Sequence, residues 1–281
     1  MSTKKIVSFA TALLFLMPFF AQNNCLLFDM SGREPVFQSG EKITYTLSYT
    51  VMGVWTNVGE VAFLTTQKTR TPGGPYYHIE ANGRTFSFFD KIFRVRDYFE
   101  TRIDAATFQP FYMHRNIHEG GYRLQSTGHY NWNNNTIRTS TQRLDRQSKQ
   151  RDTVLPLTPC SFDIVSLFYY YRNCDFSKMR ENTTYTVDLI IDDQAYAISY
   201  RLHGREQQRV RGRGTFNTLK FSASVVEGEV FSGKEQIFFW VTDDDNRIPV
   251  YMEVPIRIGS LRVRINTWEN LKFPLQSKKA Q

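Results

Sequence analysis

From Gly40 to Met52, apolar and polar residues alternate: Ile43, Tyr45, Leu47, Tyr49 and Val51 against Lys42, Thr44, Thr46, Ser48 and Thr50. Period-2 alternation places all the apolar side chains on one face of a strand, which predicts one buried and one wet face. Similar runs recur at about 58–67, 76–85, 93–103, 109–118, 121–131 and 136–142. Thr71-Pro72-Gly73-Gly74-Pro75, Gly120-Gly121 and Asn133-Asn134-Asn135 supply turns between several of them. In the second half the runs fall at about 184–191, 195–203, 207–216, 217–227, 235–242, 248–257 and 260–271. Asp192-Asp193, Gly204 and Asp243 to Asn246 punctuate these. The pattern predicts a mainly β protein of about fourteen antiparallel strands in meander order, curved into a barrel or half-barrel.

One segment keeps a different period. Ile164, Leu167, Phe168 and Tyr171 recur at i, i+3, i+4 and i+7, the template of an amphipathic helix over 162–172. Thr158 or Ser161 is placed to cap it, Pro159 suits a first turn, and Asp163 complements the positive end of the helix dipole. The run Tyr169-Tyr170-Tyr171 predicts packing on more than one side. A helix plugging or covering the open side of a curved sheet satisfies both patterns.

The same helix bears on the cysteines, Cys25, Cys160 and Cys174. Eleven helical residues span about 16 Å, whereas bridged Cα atoms lie within about 7 Å. A Cys160–Cys174 bridge would therefore need both flanks to fold back sharply. Cys25 with either of the others is the alternative, and one thiol remains over.

The N-terminus reads as an address. Lys4 and Lys5 precede an apolar stretch from Ile6 to Phe20, and Ala21 offers a cleavage site before Gln22. We read residues 1–21 as a bacterial secretory signal, 22–36 as an N-terminal segment, 37–272 as a single β domain and 273–281 as a polar tail, frayed from Gln276 to Gln281. Asn24 stands where lipid attachment at Cys25 wants a small residue. Beyond residue 21 no apolar run approaches the roughly 18 residues that span a bilayer, and the strand faces carry many charges, so the chain does not read as an integral membrane protein. The expected location is the periplasm or the periplasmic face of the outer membrane, with secretion as the alternative. Losing the signal takes two lysines and lowers the formal charge from +8 to +6.

Several motifs invite chemistry and yield to simpler readings. Gly228, Gly233 and Lys234 give most of a phosphate loop, but Glu235 stands where Ser or Thr must hold magnesium, and the setting is strand–turn–strand. His114 and His118 have helical metal-site spacing, yet on a strand they stand about 13 Å apart. Asp243-Asp244-Asp245-Asn246 lacks the glycine and the bidentate acid of a calcium loop, so a turn is expected. Asp97, Glu100 and Asp104 are candidates for a carboxylate pair only if the fold gathers them. Arg205, Arg209, Arg211 and Arg213 form the densest basic patch, a candidate contact for anionic envelope surfaces rather than for nucleic acid. No catalytic set, cofactor motif or metal-ligand spacing emerges.

Three passages together resemble the bacterial domain of unknown function 3108 family of exported proteins. Gly40-Glu41 opens the alternating strand. The helix carries Asp163, Ser166, Tyr169 and Arg172. Near the end come Trp240, Asp243, Asp244, Arg247 and Pro249. The resemblance implies no established activity, and the motifs read as structural, with a tight hairpin before an edge-like strand at Pro249. The architecture is similar to that of periplasmic lipoprotein carriers. Aromatic content of 15% and a curved sheet predict a non-enzymatic binder of an apolar or amphipathic, lipid-like ligand. A packed structural protein with an envelope protein partner, or a hydrolase of envelope polymers, are the alternatives.

Overall fold

The computed structural model describes residues 30, 33–51, 54–224, 236–255 and 259–279. The expected signal segment 1–21, Cys25, and the Gly228–Lys234 passage lie outside the described residues. The first half runs β1 (Lys42–Val51), β2 (Val54–Arg70), β3 (Gly74–Thr85), the single turn α1 (Ser87–Asp90), β4 (Arg96–Asp104), β5 (Pro110–Glu119), β6 (Tyr122–Asn131), β7 (Thr136–Arg143) and β8 (Arg151–Pro156). The second runs β9 (Ser161–Phe162), α2 (Ile164–Asn173), a 3₁₀ turn at Phe176–Lys178, β10 (Thr184–Ile191), β11 (Gln194–Val210), β12 (Gly214–Ser224), β13 (Gln236–Thr242), β14 (Pro249–Pro255) and β15 (Ser260–Glu269).

Among the described residues, fifteen strands form one mainly antiparallel sheet in the order β8-β7-β6-β5-β4-β3-β2-β1-β15-β14-β13-β12-β11-β10-β9. Each half is a meander, and β1 joins β15 at the seam. β8 and β9 are left as the edges, so the sheet is curved but open. β9 pairs in parallel with β10. Curvature nearly brings the two arms together. Arg115 on β5 donates to Asp192, in the turn after β10, at 2.9 Å, and Ile190 packs with Met113, Tyr130, Ile137 and Leu157.

Alternation sets these strands as expected. In β6, Leu124, Ser126, Gly128 and Tyr130 are buried while Arg123, Gln125 and His129 are exposed. Gly128 is required there, because a Cβ would stand 2.8 Å from the Met113 side chain and 2.9 Å from Ile137. In β1 the expectation holds for only half the strand. Ile43 and Tyr45 are fully buried, but the pairing with β2 shifts register between Leu47 and Ser48, and Leu47 and Tyr49 are half-buried.

Other boundaries differ for local reasons. The runs expected at 195–203 and 207–216 are one strand to Val210, because Gly204 (φ +121°) is absorbed in a bulge rather than ending the strand. The turn falls instead at Arg211–Arg213. The strand expected from residue 93 starts at Arg96, since 86–95 form α1 and an exposed tip. Pro249 opens β14, which lies between β13 and β15 and is not an edge; at the first position the proline displaces no ladder hydrogen bond inside the strand. The polar tail is docked as far as Lys279, not frayed. Asn217 N–H donates to Ser277 O at 2.8 Å, Lys279 N–H to Thr215 O at 2.9 Å, and Ser277 N–H to the Asp244 carboxylate at 3.0 Å.

Candidate functional site

Helix α2 lies in the hollow of the sheet, and Asp163 starts it. One carboxylate oxygen accepts the N–H groups of Val165 and Ser166, both at 3.0 Å, while the Ser166 hydroxyl accepts from the Asp163 N–H at 2.9 Å. This capping box replaces the expected caps Thr158 and Ser161, whose side chains are engaged in the preceding turn. The other oxygen accepts hydroxyls of Ser166 at 2.6 Å, Thr101 at 2.9 Å and Tyr130 at 3.4 Å. Burial raises the Asp163 pKa, and the hydrogen bonds from Ser166, Thr101 and the Val165 N–H oppose the rise.

The helix buries the face that its periodicity did not mark. Val165, Ser166, Tyr169, Tyr170, Arg172 and Asn173 are buried. The apolar stripe is not: Ile164 is 41% exposed, and Leu167, Phe168 and Tyr171 are half-buried. The reason is geometric. A helix inside a curved sheet is surrounded, so its polar groups also need buried partners. Tyr169 donates to or accepts from Thr65 at 2.7 Å, and Asn173 accepts from the Val36 N–H at 2.9 Å.

Arg172 is the largest of these groups. It forms a two-pronged ion pair with Glu41, Nη1–Oε1 2.5 Å and Nη2–Oε2 2.9 Å, both side chains with no exposed surface. Its Nε donates to the Asn246 carbonyl at 3.1 Å. Burial opposes the guanidinium charge, but the attraction and hydrogen bonds of Glu41 outweigh it and raise the Arg172 pKa. Gly40 (φ +87°) turns the chain so that Glu41 points inward. Arg247 (φ +49°) caps the last turn of α2 by donating to the Cys174 carbonyl at 2.6 Å. Asp244 accepts from Thr242 and from the Asn246 N–H, as a self-bonded turn does. The motif residues thus gather at both ends of the helix. Trp240 is buried behind them, its indole N–H donating to Glu206, and Asp243 accepts from Arg205 at 2.7 Å.

The stripe faces a groove of about 430 Å³. Its other wall is the concave face of the sheet: Tyr45, Val61 and Phe63, then Phe239, Met252 and Val263. Among the described lining residues none is charged, and the polar groups are Ser224 and tyrosine hydroxyls. Phe168 stacks on Phe63 with ring centroids 4.6 Å apart. Tyr171 sets its edge against Tyr200 and Phe239, and burial drives its phenol pKa well up, so it stays neutral. Tyr251 donates to Glu253 at 2.8 Å, and burial together with that carboxylate pushes its pKa up to about 12. An apolar concavity with few polar groups is the usual form of a small-molecule site, and its volume falls in the common range of about 300–1,000 Å³. A larger hollow of about 790 Å³ has a mixed lining, with Arg70, Asp104 and Arg138 beside Phe111, Trp132 and Val154, and Arg70 and Asp104 are already paired at 3.0 Å.

The remaining sequence candidates are scattered. Asp97, Glu100 and Asp104 do not converge: Asp97 accepts from the His118 N–H at 3.0 Å, Glu100 pairs with His78 at 2.9 Å and Arg102 at 2.6 Å, and Asp104 pairs with Arg70. No group of three metal-ligating side chains occurs among the described residues. His114 and His118 stay on β5, apart. Arg209, Arg211 and Arg213 surround the β11–β12 turn, while Arg205 is separately ion-paired to Asp243. Cys160 is disulfide-bonded and Cys174 is a free, buried thiol, so the two do not pair with each other. No described helix is long and apolar enough to cross a membrane.

Comparison with solved structures supports the architecture. A beta-barrel-like protein of domain of unknown function DUF1849 from Brucella abortus matches with a TM-score of 0.53 at 11% identity, over 84% of this chain and 99% of that one. A protein of Bacteroides fragilis, described as exported and of YmcC-like fold, matches at 0.35 and 11% identity over 83% and 100% of the two chains. A protein of Parabacteroides distasonis, described as a lipoprotein, matches at 0.29 and 11% identity over 84% and 99%. Only the first has a TM-score above 0.5, and at 11% identity it speaks of fold alone. No curated protein matches. The family model described as a protein of unknown function, DUF3108, matches residues 44–266, from early in β1 to late in β15, and the chain belongs to that family.

Proposed function

We propose that the protein holds an apolar or amphipathic ligand of the cell envelope in the groove between α2 and the concave face of the sheet. The observation that carries this reading is the orientation of α2. Its apolar stripe of Ile164, Leu167, Phe168 and Tyr171 faces an open concavity, whereas its polar groups are buried on the other side. Apolar side chains left facing an open groove gain stability when an apolar guest displaces water, at about 0.8 kcal/mol for each methylene buried. The signal-like N-terminus adds that the ligand is met outside the cytoplasm. The described lining offers a hydrolase no carboxylate or nucleophile–base pair, so binding without turnover is the reading that uses the residues present.

The test is native mass spectrometry of protein purified without detergent, followed by organic extraction. A reproducible co-purifying amphiphile, released on denaturation, is the expected result. A clean unliganded mass, with no uptake from envelope lipid extracts, would overturn the proposal in favour of a scaffold protein.

A further inference from the structure

The loop between β3 and β4 presents three large apolar side chains to water. Phe88, Ile92 and Phe93 are 68%, 71% and 53% exposed. They are held there. The Asp90 carboxylate accepts Thr85 Oγ1 at 2.5 Å and both terminal nitrogens of Arg96 at 2.9 and 2.5 Å. Hydrogen bonding by Arg96 and Thr85 keeps the Asp90 carboxyl ionised, at a pKa of about 2. Phe93 lies against Gly120, where a Cβ would come within 2.8 Å of its ring, and Gly120 N–H donates to Arg94 O at 2.7 Å. The apolar groups are therefore fixed outward. Exposed Lys91 and Arg94 flank them, and among the described residues neither makes an ion pair.

This tip shares its end of the sheet with other apolar residues and with the groove. Phe86 N–H donates to Val58 O at 3.0 Å, beside the β1–β2 turn, where Val54 is 70% exposed. Leu144, 47% exposed, donates to Arg123 O beside the β5–β6 turn. In an antiparallel order the ends of β10, β12 and β14, at Ile191, Ser224 and Pro255, fall on that side too. Groove residues Ile191, Ser224 and Ile237 stand at or beside those strand ends.

We infer that this end of the sheet docks on an anionic phospholipid surface. Phe88, Ile92 and Phe93 enter the boundary between headgroups and acyl chains, and Lys91 and Arg94 meet the lipid phosphates. Apolar anchors interleaved with unpaired cations are the composition that lies in such an interface, where apolar burial and attraction to anionic lipid add. The cations also select this occupant over a neutral protein surface. The Arg209, Arg211 and Arg213 turn is at the opposite end and brings charge without anchors. The inference rests on the groove reading for its purpose: a bilayer at this end delivers or receives the guest.

The test is co-sedimentation with vesicles of phosphatidylglycerol and phosphatidylethanolamine, against phosphatidylcholine vesicles, using protein recovered after export. The wild type is expected on the anionic vesicles, less so at high salt. The F88S/I92S/F93S variant is expected to bind about tenfold or more weakly, and K91E/R94E likewise. Binding unchanged in both variants, or no wild-type binding to either vesicle, overturns the inference. So does a protein partner cross-linked to this tip in place of lipid. Uptake of a fluorescent apolar probe without vesicles reports the groove separately. The F88S/I92S/F93S variant must keep it, and a wild type that docks but takes up no probe would sink the groove reading and leave docking standing.

Discussion

Glu41 and Arg172, 131 residues apart in the chain, meet as a two-pronged ion pair with no exposed surface, and that pair ties helix α2 to the start of β1. The guanidinium reaches from Glu41 to the carbonyl of Asn246 in the β13–β14 turn. One side chain thus joins the first strand, the helix and the final hairpins. Removing either partner leaves a buried charge alone. We expect Glu41→Gln and Arg172→Met each to cost about 3–5 kcal/mol in chemical denaturation. The double variant should cost less than the two singles added. Additive losses would mean the pair is not coupled as described.

At the mouth of the groove Ile164 is half in water. Ile164→Asp puts a carboxylate beside the apolar lining while adding a favourable charge to the first turn of α2. Stability should change by less than about 1 kcal/mol. Affinity for an apolar fluorescent probe should fall about tenfold, which is about 1.4 kcal/mol. Equal affinity in both proteins would place the probe elsewhere.

Asp163 both caps α2 and accepts hydroxyls of Ser166, Thr101 and Tyr130. Asp163→Ala should cost about 3 kcal/mol, combining a lost cap with buried donors left unpaired. The pH dependence has a definite sign. Burial raises the folded pKa above the unfolded value near 3.9, so the folded protein holds this proton more tightly. Its contribution favours folding below the unfolded value and is lost as pH rises through the raised one. Relative to Asp163→Asn, wild-type stability should therefore decline as pH is raised from about 4 through the raised folded value. Parallel curves would contradict the burial effect.

Cys174 is a free thiol whose pKa burial pushes up to about 12. Thiolate is the reactive species, so iodoacetamide at pH 8 should leave Cys174 unmodified in the folded protein and alkylate it in urea. Intact-mass measurement distinguishes the two. Rapid labelling without denaturant would show that this part of the core opens.

The strands were legible because alternation is a local signal that burial of one face rewards directly. Elements that alternation does not encode were missed. β8 and β9 are short edges, and the Arg96 start of β4 follows from the staple on Asp90. The Gly204 bulge keeps β11 continuous because β12 carries the ladder on past it, from Gly204↔Lys220 to Val210↔Gly214. The motif residues Gly40, Glu41, Asp163, Arg172 and Asp244 were legible as a set of special positions. Which of them touch was not, since Glu41 and Arg172 carry no spacing signal.

The chain by itself determined a mainly β architecture, one amphipathic helix, the unlikeliness of a Cys160–Cys174 bridge and the export-like N-terminus, because each is written in neighbouring residues. Tertiary structure alone decided which face of that helix is buried. Periodicity marks Ile164, Leu167, Phe168 and Tyr171 as the face to be covered, and on a flat sheet it would be. Inside a curved, open sheet, the Glu41–Arg172 pair and the Asp163 hydrogen bonds fix the rotation of α2 instead. Breaking buried charges costs more than leaving one apolar stripe at the edge of a groove.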